Sequence, residues 1–137
     1  MATITHGLRS TGNTGEQPPL YYGKVNDPAG GAHPGWLTIL TIPIPAATGA
    51  RIEVEAFARA SNEVQSTLWK ICMVNRHAAD APVRANTDVQ AEVVLAGTWD
   101  LNVVDNNVIL FFFPDAVRQA AGDSFDITAT ARVLFAP

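Results

Sequence analysis

The chain has 137 residues, enough for one domain to bury about two thirds of its unfolded surface without disulfides or metals. Charged residues make up 16% of it and apolar residues 47%, so its surface is expected to be uncharged polar or covered by another molecule, a composition that favours assembly. The nine basic residues stand singly and the formal net charge is −4, which gives phosphates no cationic footprint and excludes a nucleic-acid partner.

Residues 1–15 lack a charged segment followed by an apolar one, so no secretory signal is expected. No apolar run approaches the length of about eighteen residues that a membrane span needs. A soluble chain made in a cytoplasm, with no membrane partner, is the expectation. The lone Cys72 lies in an apolar run, where it reads as a buried, inert thiol that can form neither an intrachain disulfide nor a cysteine-based zinc site.

Residues 1–34 are rich in glycine and hold Pro18, Pro19, Pro28 and Pro34, and outside residues 20–25 they show no apolar periodicity. They are expected to form an extended arm. An arm of this composition cannot offset its ordering entropy alone, so it needs a surface to lie on. In a chain this poorly charged the expected surface is a neighbouring subunit, the alternative being the arm's own domain. A β-sandwich domain over residues 35–137 is expected to follow.

From Trp36 the texture is that of strands. Residues 36–44 have partly apolar residues on both faces, and Pro43 limits ladder bonding. Residues 51–60 alternate Ile52, Val54, Ala56 and Ala58 with Arg51, Glu53, Glu55 and Arg59, a half-buried strand with Phe57 as its exposed exception. Residues 65–75 are apolar on both faces, as a central strand would be, and Trp69 is read as core. Residues 77–86 read as a loop and 87–96 as a further alternating strand. Residues 99–104 and 108–113 flank Asp105-Asn106-Asn107, the strongest hairpin signal in the chain. Residues 114–121, with Pro first and Gly122 after, predict one or two helical turns. Residues 124–135 alternate Phe125, Ile127, Ala129, Ala131, Val133 and Phe135 with polar residues, which predicts a closing strand with one buried face. The sum is an all-β fold, a β-sandwich or jelly roll with an extended N-terminal arm.

Few residues group as catalysts do. His6, His33 and His77 are dispersed in loops without metal-ligand spacing, no serine sits in a nucleophile elbow, and the carboxylates of the last third fall at turns and helix starts. No enzyme and no cofactor or metal are expected. Aromatic residues carry more weight. Trp36 and Trp99 stand at strand starts beside glycines, where an exposed ring can serve as an interface anchor or a platform for a glycan. Phe111-Phe112-Phe113 cannot all point into one core, and with Phe57 they imply a second covered surface; Phe57 and Phe112 are therefore grouped with Trp36 and Trp99 as interface or glycan-platform residues.

The T-I-P-I-P segment at 41–45, the W-K pair at 69–70 and the terminal G-D-S-F-D-I-T-A-T-A-R-V-L-F at 122–135 together resemble the small β-sandwich proteins of tailed-bacteriophage virions. That group comprises capsid cement (decoration) proteins and tail- or head-fibre domains. The resemblance covers residues 36–137. It implies a non-enzymatic structural role on the capsid surface as a homo-oligomer, usually a trimer, with the major capsid protein as partner. A cement protein gains area across joints between capsid subunits, and Leu8, Leu20, Tyr21, Tyr22 and Val25 of the arm are the residues expected to supply it, through β-augmentation of a neighbour's sheet by residues 20–25. The alternative is a fibre domain that binds host surface glycan.

Overall fold

A computed structural model of the protein describes residues 3–10, 20–27, 35–85 and 88–137, the first of these segments by its backbone alone. Two antiparallel sheets pack face to face as a β-sandwich. The large sheet contains β1 (Thr3–Ser10), β2 (Leu20–Asp27), β4 (Thr48–Ala60), β5 (Gln65–Arg76), β6 (Val83–Arg84), β7 (Val89–Val94) and β10 (Phe125–Ala136). Its order is β1-β2-β10-β4-β5, with β6 and β7 sharing the far edge of β5. The small sheet has the order β3-β9-β8, from β3 (Leu37–Pro43), β9 (Asn107–Pro114) and β8 (Gly97–Val104). A short helix, α1 (Ala116–Ala120), bridges β9 to β10.

The centre of the large sheet follows from alternation. In β4, Ile52, Val54, Ala56, Ala58 and Ala60 are buried while Arg51, Glu55, Phe57 and Arg59 are exposed. In β10, Phe125, Ile127, Ala129, Ala131 and Val133 are buried. Register places Ala129 against Ala56 and Ala131 against Val54, so the middle of the sheet is lined by small side chains. The small sheet answers with Leu40, Leu101, Leu110 and Phe112, all essentially inaccessible. Each large apolar side chain fully buried contributes about 1.5–3 kcal/mol, and bulk facing smallness keeps the layers interdigitated.

The β8–β9 hairpin turns at Asp105, which takes φ 53°, a region that aspartate tolerates. The β4–β5 turn closes with Val64 N donating to Asn62 Oδ1. Pro114 is the last residue of β9, and the helix it was expected to open starts instead after Asp115, with Gly122 (φ 81°) just past its end.

Three expectations need correction. Residues 20–25 do not reach for a neighbour's sheet: β2 has both edges paired within the chain, to β1 on one side and β10 on the other. The strand also packs into its own domain: Val25 is wholly buried, and at Gly23 the chain runs so close to β3 that a Cβ would come within 1.8 Å of the Ile39 carbonyl oxygen. Trp99 and Phe112, read as an exposed platform or interface, are core residues, 9% and 0% exposed, with ring centroids 4.5 Å apart. Phe112 in turn meets Phe125 of the large sheet at 6.5 Å. Trp69, read as core, stands on the outer face of the large sheet.

Candidate interaction surface

β7 is unusual among the strands described. All six of its residues are exposed, and among the described residues nothing pairs with the edge it turns away from β5. Register with β5 sets Val89, Ala91 and Val93 opposite Ile71, Trp69 and Thr67, on the sheet's outer face. That row carries no charge. An unpaired edge of this composition is a template for another strand.

Both ends of β7 are fastened. At its start Asp88 pairs with Lys70 (3.4 Å) and with Arg84, whose other guanidinium nitrogen donates to Leu101 O at 2.6 Å. Past its end, the buried Ser66 hydroxyl accepts from Ala96 N at 2.7 Å and Gly97 N at 3.1 Å, and lies 3.2 Å from Gly97 O, to which it can donate. The strand is thus held to β5 and β8 while its own side chains stay in solvent, an arrangement suited to contact because little ordering entropy is left to lose.

Next to it, the outer face of β4, β5 and β10 forms an open depression of about 470 Å³ lined by Glu55, Phe57, Thr67, Trp69, Ala91, Thr128 and Thr130. Trp69 Nε1 donates to Glu53 Oε2 at 3.1 Å, which fixes the ring, and Phe57 is 39% exposed beside it. A second depression of about 390 Å³ is bordered by Val64, Thr67, Val93 and Leu95. Leu95 is 67% exposed.

The other sequence-expected residues are spread over the molecule. Trp36 is 48% exposed and packs edge-on against Phe113 at 5.3 Å, on the outer side of the small sheet. Phe57 lies in the first depression. Tyr21, Tyr22 and Leu20 are half-buried on β2 and Val25 is wholly buried; burial raises the Tyr21 pKa above its ordinary value. Leu8 lies on β1, whose side chains are outside the described residues, as are those of His6 and His33. Cys72 is buried, and burial pushes its thiol up to about 11 despite the nearby Arg84 and Lys70, so it is no nucleophile at neutral pH. Among the described residues no group of three or more His, Cys, Asp or Glu could hold a metal ion, and no helix is long and apolar enough to cross a membrane.

Sequence reasoning missed Trp69, Glu53 and the exposure of β7. Parity held the signal for the first two: Ser66, Leu68, Cys72 and Val74 face inward, which leaves Trp69 with Thr67 and Met73 outside. Comparison of the chain with protein-family models, with curated proteins and with solved structures finds no match.

Proposed function

We propose that the protein is a non-enzymatic structural component of an assembly, a decoration protein that stabilises joints between major capsid subunits on the surface of a virion. The observation that carries this reading is β7, a firmly mounted strand with every residue exposed, an uncharged apolar row and an unpaired edge. Such a surface is suited to adhesion. The low charge of the chain and the exposed Trp36 on the opposite sheet support it, since a protein lying across a joint needs more than one contact face. The test is co-sedimentation of the full chain with tailed-phage capsid shells stripped of their decoration protein. Retention on shells that then melt at higher temperature is expected, with Val93→Lys and Trp36→Ala weakening it; a chain that stays in the supernatant overturns the reading.

A second reading, a fibre domain that binds host surface glycan, is favoured by the Trp69 depression. A ring fixed by Glu53, with Phe57, Glu55, Thr128 and Thr130 around it, offers a stacking face beside hydrogen-bonding groups. Trp69 takes the place that Trp99, now in the core, was expected to fill. Binding on a glycan array that Trp69→Ala abolishes with the fold intact supports this reading, and an array without binding removes it.

A further inference from the structure

We infer that two copies of this chain join antiparallel through β7, edge to edge, with Ala91 on the two-fold axis. This rests on the reading of the protein as an assembly component, and it names a partner of β7: a second copy of the same strand.

The register follows from parity and charge. In an antiparallel pair, opposed residues share a face, so a symmetric pairing of β7 with itself must centre on a residue. Near the middle of Val89–Val94 the available centres are Gln90, Ala91, Glu92 and Val93. Centring on Val93 opposes no like charges but keeps only residues 92–94 of the strand in register. Centring on Glu92 sets that carboxylate against its own copy. Centring on Gln90 sets Asp88 against Glu92 of the second copy. Like charges directly opposite destabilise a ladder. Centring on Ala91 opposes no like charges. It pairs Val89 with Val93 of the second copy on the outer face, twice over by symmetry, and Gln90 with Glu92 on the other face, where an amide can donate to a carboxylate. Of the registers that oppose no like charges, this one keeps the most of the strand in register, residues 89–93, and it is self-complementary, as an isologous contact requires.

The joint would extend the apolar row across the axis. Phe57, Thr67 and Val93 of one copy would run on into Val89 and Ile71 of the other. The two Trp69 rings, each one strand from its Ala91, would lie on strands about 14 Å apart, three inter-strand spacings. The contact is two-fold, where the sequence resemblance implies a trimer, so the two are distinguishable by mass.

Cysteine cross-linking of the full chain tests the register, because the only native cysteine, Cys72, is buried. Opposed Cα atoms in an antiparallel pair lie about 4.5–5.5 Å apart, within disulfide reach. Ala91→Cys is expected to form a disulfide dimer under mild oxidation, while Gln90→Cys and Glu92→Cys each remain uncrosslinked alone and cross-link when mixed. Wild-type chain is expected to sediment as a dimer that Val93→Lys converts to monomer, with far-UV circular dichroism unchanged. Self-cross-linking of Glu92→Cys, a dimer in which Ala91→Cys does not cross-link, a trimeric mass, or a monomer at all concentrations each overturns the inference. Shell co-sedimentation is read separately, so a monomer that still decorates shells removes the dimer and leaves the proposed function standing.

Discussion

Gly23 of β2 lies so close to Ile39 of β3 that a Cβ on the glycine would come within 1.8 Å of the Ile39 carbonyl oxygen. The obstacle is backbone, which cannot swing aside. Gly23→Ala is therefore expected to destabilise the fold by about 3 kcal/mol, the upper part of the usual overpacking range. At Gly49 the nearest atoms to an added Cβ are 3.7 Å away, so Gly49→Ala is expected to stabilise by about 0.5 kcal/mol through the unfolded chain. Urea unfolding midpoints of the two variants should move in opposite directions.

Trp99 has a buried Nε1 with no hydrogen-bond partner, while its ring packs on Phe112. Apolar contact, not hydrogen bonding, holds it in place. Trp99→Phe is expected to cost about 1 kcal/mol, since it loses area and removes an unsatisfied donor, whereas Trp99→Ala should cost about 3–5 kcal/mol. Trp36→Ala, on the surface, should leave thermal stability within about 0.5 kcal/mol of wild type. Equilibrium denaturation of the three variants checks the order.

The Ser66 hydroxyl serves two backbone donors, Ala96 N and Gly97 N. Ser66→Ala strands both in a buried place, and the expected cost is about 2 kcal/mol. Loss should fall on the β7–β8 connection first. Hydrogen exchange at Ala96 and Gly97 should accelerate more than at Val54, and equal acceleration at both places would count against this role for Ser66.

Burial holds the Cys72 thiol protonated up to about pH 11, against an ordinary value of 9.0. Between those values the unfolded chain has lost the proton and the folded chain keeps it, so stability should fall as pH rises from about 9 to 11. The raised Tyr21 pKa acts in the same direction. Cys72→Ala should flatten part of this decline, measured by thermal melts at stepped pH. Native chain should react slowly with thiol reagents at neutral pH and quickly once denatured.

The alternation of β4 and β10 and the Asp105 turn were legible because one-sided burial writes a period of two into the residues themselves. Part of what was illegible has its cause in glycine. Gly23 counted only as one glycine of an extended arm, and Gly97 as punctuation beside a Trp99 read as exposed. In the fold each glycine is a place where something else comes close, the Ile39 carbonyl at one and the Phe112 ring at the other, 2.4 Å from an ideal Cβ of Gly97. A missing side chain looks the same in sequence whether it frees a turn or admits a neighbour. β7 was misread for a different reason: its apolar-polar alternation predicts a buried face, yet among the described residues the small sheet has three strands and leaves both faces of β7 exposed. Trp69 was assigned to the core by the apolar texture of β5, which has strands on both sides but lies next to the edge of the sheet and is covered on one face only.

One consequence follows from how β5 is flanked. Its edge, a strand of twelve residues and about 40 Å, is divided between β6 and β7, and only β7 presents a run of six, about 20 Å. A visiting strand meets a short ledge bounded by the fastened Asp88 at one end and the departing chain at Leu95 at the other. Growth of a sheet by repeated addition needs a long, level template at each step. Here the ledge is used up by a single visitor, so the same strand that invites a neighbour also sets where accretion stops.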